Sequence, residues 1–594
     1  MKKSLKLAAL ALGACMLLPL AACGDDVPKG TTEISFWYDA TITANKYYEE
    51  LARTYNEGQG KIDGVYVRPE LTGGISTGAR PYLTKDSPNV MTIDETVFKD
   101  FAIDGLYTDL TEYYENDKEF YNENDVPAGL ANRNRFTRNA GGISYAGEGQ
   151  KLVGLPFGST PFVVLYNKKA FNDYKINIVS CEEENLQTQY PSLQPHGYAE
   201  YLNSPFDGAV SSTNLAGETV YKVFNNRISM NWEEMRYLAK CFTKTKENGT
   251  GYNPTSPTAY GYVSEWWFNY AWSVGGDCVG YNGEKYEFTL GDKTPNYLVT
   301  AKDGVTVNNV HYAAGETLRY EDKVKLTSKD GLYELPSTYT AIAEINRFPI
   351  PEGKSYDDGV PGYGISYPDS ADRTTAFTSE LVAMATLGDV TLAELDRNMR
   401  GNYDIAPCQQ YRAYVGGSVY YNGAKTFENE YLKVIGKDGY TGALKTADGT
   451  ETGTPVKGKI AACSKAQTLV IPKNSNAEMY EASWKFIRWA AGPDGQKILA
   501  QTGVVPNQTS VSFSDDYLKT RADINLYARS LTATGGEIGD WAYFQNGNWV
   551  KGWSGDFNDE VRFGNMAFAD FFTNKKSAAE TAINGMKIVI KGRY

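Results

Sequence analysis

Only two histidines, His196 and His311, occur in the 594 residues, and both sit in polar, loop-like sequence. A Ser-His-Asp triad, a Cys-His pair and an HExxH zinc site each need a histidine in defined company, so those chemistries are excluded. No Gly-rich phosphate loop of the Walker type, no paired CxxC and no convincing acidic calcium loop is present. No cofactor or metal is expected. Two carboxylates ~5–10 Å apart would suffice for a glycosidase, but nothing in the order of the acids singles out a pair, and no catalytic residue is assigned. What the residues do offer is aromatic surface. The stretch GYVSEWWFNYAWSVGGD, 261–277, crowds aromatic rings between Glu265 and Tyr270 and adds Trp272. On a helix, Phe268, Ala271 and Trp272 would share one face and Trp266, Trp267 and Tyr270 another. One face can be core, and the other then needs a partner.

The elements that must position these rings begin with an export signal. Lys2, Lys3 and Lys6 precede an apolar run from Leu7 to Leu20, too short and one-sided for a spanning helix, and small residues lead to Cys23. Leu20-Ala21-Ala22-Cys23 resembles a bacterial lipobox, in which the cysteine is acylated and becomes the mature terminus. Leu12-Gly13-Ala14-Cys15 fits the same pattern, but cleavage there would leave an apolar terminus. The expectation is a lipoprotein signal over 1–22 and a polar tether over 23–32. Later segments are not apolar enough to span a membrane, so the body is expected outside the cell, held to the membrane by lipid alone. Loss of 1–22 removes three lysines and moves the net charge from −13 to −16. That balance argues against nucleic acid as a partner. Besides Cys23 the mature chain holds Cys181, Cys241, Cys278, Cys408 and Cys463, an odd number, so at least one stays outside any disulfide.

Strand and helix patterns alternate, which predicts an α/β sheet. Glu33 to Trp37 reads as a strand, and NKYYEELARTYNE places Tyr48, Leu51, Ala52 and Tyr55 at helical spacing. Val90 to Ile93 starts a second such unit, whose helix stops at Gly105. LVGLPFGSTPFVVLYNKKAF holds two apolar runs divided at Gly158 to Pro161. Asn231 caps a helix whose stripe is Met235, Leu238, Ala239 and Phe242. The phrases then line up with a family. Gly105-Leu106-Tyr107-Thr108-Asp109-Leu110-Thr111, Gly154-Leu155-Pro156, Leu165-Tyr166-Asn167-Lys168, Trp232-Glu233-Glu234-Met235 and the long block 458–511 resemble, in order, the family 1 extracellular solute-binding proteins of ABC importers, the maltose-binding-protein-like group. The resemblance covers most of 33–594, with gaps mainly at 283–335 and 410–457.

It implies a two-lobed, Venus-flytrap α/β fold with three crossings, near Ser159, near Ala461 to Thr468 and near Val505 to Ser510. Lobe one would be 33–159 and 460–508, lobe two 160–459 and 509–594. Alternating residues around Asp-Gly and Ala-Gly turns make 283–335 a small β insertion in lobe two, and TYTAIAEINRF at 338–348 resumes a helix. The implied function is capture of a neutral oligosaccharide, without catalysis, by a monomer that delivers it to ABC permease subunits. A pyranose has an apolar face for an aromatic ring and a hydroxyl rim for polar groups. In the resembled family an aromatic cluster just before a Gly-Gly pair, here Gly275-Gly276, stacks on sugar, which makes Trp266, Trp267 and Tyr270 stacking candidates; core is the competing role. Trp37, Tyr38 and Asp39 end the first strand, Glu95 and Thr96 the next, and Ser159 and Thr160 stand at a crossover; caps and turns compete there. Trp549 and Trp553, with Trp541, punctuate a Gly-rich tail and are further candidates. At Ala383 to Val390 the tryptophan of some relatives is missing. A charged ligand, either a uronate, a peptide or a polyamine, is the alternative, with Arg53, Arg68 and Arg80 as sources of charge, and a surface glycosidase is a third reading.

Overall fold

The computed structural model describes residues 27–585 apart from 41, 75–79, 86, 140–141, 145–148, 175, 183–184, 186–222, 231, 245–251, 265–266, 358, 369–371, 389–391, 416–417, 422–423, 429–443, 446–450 and 538–546. Cys23, Trp266 and Trp541 lie outside the described residues, as do the side chains of Glu95 and Thr96.

Two sheets organise the chain. In the first, strand Thr32–Tyr38 runs parallel to Val65–Leu71 and to Val90–Asp94. Strand Ala462–Val470 is antiparallel both to Val90–Asp94, with Gln467 opposite Asp94, and to Leu155–Pro161, with Ser464 opposite Pro161. Helix Ile42–Glu57 buries Tyr48, Leu51, Ala52 and Tyr55 against this sheet, the stripe its spacing predicts. Its neighbour, helix Glu95–Ile103, ends just before Gly105, whose φ of 69° is open to glycine and strained for other residues.

The chain leaves the first sheet at Pro161 and enters the second at Val163. There Val163–Asn167 lies antiparallel to Val382–Leu387 and to Tyr403–Ala406, and Val382–Leu387 is parallel to Tyr260–Ser264. Register then fixes which ends meet. Tyr38, Leu71, Asp94 and Pro161 close one edge of the first sheet; Ser264, Leu387 and Ala406 lie with Val163 along one edge of the second. A link of one residue, Phe162, joins these two edges. Each sheet is covered on both faces by separate apolar clusters, giving two lobes. Helix Trp232–Cys241 contributes Met235, Leu238 and Ala239 to the second, joined by Phe242 just past its end, all buried. Further passages between the sheets run through Gly458 to Ala462, and past Val505, which exchanges backbone hydrogen bonds with Ser159.

The β insertion is built from paired strands Val279–Tyr281 with Tyr286–Phe288, Asn296–Val299 with Leu332–Leu335, and Val305–Val307 with Val310–Tyr312. Asn308 and Asn309, at φ 48° and 65°, make the tight turn of the last pair. Tyr297, Val299, Tyr312 and Leu318 give the insertion its own small core.

Candidate functional site

Ligands of open α/β sheets sit beyond the carboxyl ends of the strands. At the first sheet's edge, Trp37 is half-buried and meets Tyr82 edge to face, with ring centroids 5.4 Å apart. The Asp39 carboxylate accepts from the Gly74 amide at 3.1 Å, and its own amide donates to Thr92 Oγ1 at 3.3 Å. Tyr38 is buried and stacks on Tyr48 at 4.5 Å and 4°, while its hydroxyl donates to Asn45 Oδ1 at 2.6 Å. Burial, and then the Glu49 carboxylate, push the Tyr38 phenol up to about 12. Burial raises Tyr48 further, with Asp39 adding to it, and its hydroxyl reaches Gln467 Oε1 at 2.9 Å. The edge therefore presents the Trp37 ring beside the Asp39 carboxylate, over a layer of satisfied tyrosines. Ser159 is buried in its bridge to Val505, and Thr160, half-buried, is paired opposite Lys465 in the strand register.

The second sheet's edge is where the structure departs from the helical-face argument. The helix in the aromatic stretch is only Asn269–Ser273, so Trp267 precedes it and does not share a face with Tyr270. Trp267 is 6% exposed and packs against Phe268 and Phe557, with Trp553 at its edge. Tyr270 is buried on Trp232, ring centroids 5.0 Å apart and planes 22° from parallel. Trp549 and Trp553 are each 1% exposed and close the same core with Phe288. Rings enclosed this completely offer no face to a sugar, and the stacking role expected for Trp267, Tyr270, Trp549 and Trp553 is corrected to core. The physical reason is that the tail returns over the aromatic stretch and covers it. Asn269, the polar residue inside that stretch, accepts from the Cys463 amide at 3.1 Å and so ties the helix to a crossing strand. The five described cysteines are buried and form no disulfide with one another.

A second place where the lobes meet is a cavity of about 550 Å³ lined by Ala128, Asn132 and Gln150 from before the first crossing, by Lys459 at the second, and by Trp272, Asp277 and the insertion from lobe two. None of the strand-end residues lines it, so it is separate from the two sheet edges. Trp272, which the face argument assigned to core, borders it, and Gly275 and Gly276 leave room at its wall: a Cβ on Gly276 would lie 2.4 Å from Thr338 Oγ1. The polar wall is preorganised. Lys323 is buried and donates to Asp292 Oδ2 at 2.5 Å and Asn296 Oδ1 at 2.9 Å; burial lowers it and Asp292 pulls it back. Arg319 donates to Tyr312 at 3.0 Å and to Asp322 at 3.1 Å, and burial, then the bond to Asp322, hold the Tyr312 phenol at about 12. Sequence reasoning missed these residues because they come from the insertion, which matched no family phrase. The Gly275-Gly276 pair was the one signal that pointed here.

Arg53, Arg68 and Arg80 are each engaged, with Glu57, Glu33 and Asp104 respectively. Among the described residues no group of three or more His, Cys, Asp or Glu could hold a metal ion, and no helix is long and apolar enough to cross a membrane.

Residues 353–522 match a family model described as bacterial extracellular solute-binding protein. Over 93–94% of its length the chain is similar in fold to solved two-lobed binding proteins. A cyclic alpha-maltosyl-1,6-maltose binding protein from Arthrobacter globiformis is 13% identical, with 94% of this chain and 100% of that one covered at a TM-score of 0.50. UgpB from Mycobacterium tuberculosis, solved with glycerophosphocholine, is 13% identical over 93% and 99% at 0.50. The sugar-binding protein MalE from Xanthomonas citri is 12% identical over 93% and 97% at 0.50. No curated protein matches the chain by sequence. The fold is thus the two-lobed solute-binding fold, and the family resemblance drawn from the motifs is found independently within 353–522.

Proposed function

We propose that the protein is the lipid-anchored capture component of an ABC importer, monomeric, with lobes 33–159 plus 460–508 and 160–459 plus 509–594. It closes on an oligosaccharide between the two sheet edges and performs no chemistry on it. The observation that carries this reading is the juxtaposition of the two strand-end edges across a link of one residue, Phe162, with Trp37 and Asp39 half-buried on one of them. Trp37 suits the apolar face of a sugar and Asp39 its hydroxyl rim. Glu95 and Thr96, at the matching end of the next strand, are kept as contacts to test, together with Trp266. Maltosyl-maltose, glycerophosphocholine and sugar appear in the names of proteins that share this fold at the same TM-score, so the fold by itself does not set the ligand's charge. A neutral chain is supported by the half-buried aromatic at Trp37. An acidic sugar is the second reading, supported by Arg562, a buried arginine at the edge of lobe two.

The test is a thermal-shift screen of the mature protein over neutral and acidic oligosaccharides, peptides and polyamines, followed by small-angle scattering with the best ligand. Stabilisation by an oligosaccharide with compaction of the particle is expected, because a ligand that touches both lobes favours the closed form. Stabilisation by peptides or polyamines alone, or release of cleaved sugar, would replace this reading.

A further inference from the structure

Strand Tyr260–Ser264 and the neighbouring segment through Ser366 run in parallel and end together at the lobe-two edge. A small pocket opens at that end, lined by Ser264, Tyr367, Arg373, Asn558 and Arg562 among others, with a volume of about 10 Å³. That is room for about one water-sized group, such as a single carboxylate oxygen, and too little for a sugar ring. Arg562 is 9% exposed, and its Nε is enclosed without a hydrogen-bond partner. No carboxylate forms an ion pair with it among the described residues. Burial, and then repulsion from a second cation, Arg373, lower Arg562 to about 10.

A buried guanidinium with no acid opposite it costs the fold stability, since its desolvation is not offset. The other buried arginines show what a structural role looks like here: Arg488 reaches Asp117 at 2.9 Å, Glu119 at 3.2 Å and Asp63 at 3.5 Å, while Arg133, Arg412 and Arg529 donate to the Gly129 carbonyl, Gln410 Oε1 and the Gly503 carbonyl. Arg562 has none of this, yet it points into a pocket on the edge where solute is expected. A planar fork of donors is the group that binds a carboxylate in two-point fashion.

We infer that Arg562, with Arg373 beside it, receives a carboxylate of the captured solute, so that the preferred glycan carries uronic acid residues. The inference rests on the capture reading above and narrows its substrate class. The pocket's size admits a carboxylate oxygen, and the sugar ring stays outside it.

The experiment is calorimetric titration of the mature wild type, Arg562→Gln and Arg562→Lys with oligogalacturonates and oligoglucuronates and with their carboxyl-reduced counterparts, alongside thermal melts with sodium acetate. Wild type is expected to bind an acidic chain at least tenfold more tightly than its reduced form. Arg562→Gln should abolish that preference, and Arg562→Lys should restore only part of it. In the absence of ligand Arg562→Gln should melt no lower than wild type, because it removes an unpaired buried charge. Acetate should stabilise wild type more than Arg562→Gln. An acid preference that survives Arg562→Gln overturns the inference, as does a variant that no longer folds. Tight binding of neutral chains that Arg562→Gln leaves unchanged overturns it while keeping sugar capture. If no glycan binds, the capture reading fails, and the acetate melts still decide whether Arg562 is an anion receptor.

Discussion

The side chain of Asn269 and the backbone of Cys463 are joined by a 3.1 Å hydrogen bond, which fastens the aromatic stretch of lobe two to the strand that leads back into lobe one. The same Cys463 accepts at its carbonyl from the Phe162 amide at 2.8 Å, and Phe162 accepts from Cys408 Sγ at 2.9 Å. Two crossing segments therefore share one buried polar knot. Burial raises the Cys408 thiol, which keeps it protonated and able to donate.

Asn269→Ala should expose the importance of that knot. It leaves the Cys463 amide without its acceptor in a buried setting, at a cost of about 1–3 kcal/mol. Urea unfolding of the variant is expected to show a lower midpoint with an unchanged slope, and scattering should show a broader spread of lobe separations without ligand. A midpoint equal to wild type would mean that the bond contributes nothing.

Anchoring rests on Leu20 to Cys23, which lie outside the described residues. Cys23→Ala should give a folded body that is released to the medium or remains as unprocessed precursor. Fractionation and mass measurement of the terminus check this. A variant that is correctly processed and stays on the membrane at the wild-type level would remove the lipoprotein reading.

Acid should loosen lobe two at a definable place. Arg521 donates to both Asp523 and Asp396, and it holds the Asp523 carboxyl down at about 2. An unfolded aspartate titrates near ~3.9, so the unfolded chain takes up the proton first. The stabilisation is present above about 4 and is lost as the pH falls through about 2. The Asp523 side chain is 39% exposed, which limits the effect to about 1 kcal/mol or less. Asp523→Asn should be slightly less stable than wild type at pH 6, and the gap should close by pH 2. Urea midpoints measured across that range decide it; a gap that does not depend on pH would show that the carboxylate's charge is irrelevant.

The elements that repeat local rules were legible in the sequence. Helix Ile42–Glu57, with its four-residue stripe, and helix Trp232–Cys241 could be read from spacing, because a single buried face dictates both. So could the turns of the insertion at Gly304 and Gly315, which adopt the positive φ that their Asp-Gly and Ala-Gly settings announce. The aromatic stretch could not. Its burial is decided by Phe557 and Trp553, which follow it by nearly three hundred residues, and periodicity within a segment carries no information about what folds over it later. Trp272 borders the cavity for the same reason: the insertion stands away from it and leaves a gap. The pairing of Arg53, Arg68 and Arg80, and the lack of a pair at Arg562, are also facts of tertiary placement.

The two tryptophans Trp267 and Trp37 separate core from crevice. Trp267 is enclosed by Phe268, Phe557 and Trp553, and its removal should cost roughly 3–5 kcal/mol. Trp267→Ala is therefore expected to melt far below wild type, with the affinity of the folded remainder for ligand unchanged. Trp37 is half-buried, with Tyr82 at its edge, so Trp37→Ala gives up less packing and should lower the melting temperature only slightly. If its open face meets sugar, the same variant should weaken binding by about 1–2 kcal/mol, roughly a tenfold rise in Kd. Intrinsic fluorescence should shift on ligand addition in wild type and shift less in Trp37→Ala. Melts and titrations on both variants decide between the roles. Normal affinity in Trp37→Ala would move the ligand off the first sheet's edge, and a stable Trp267→Ala that binds weakly would return that ring to the site.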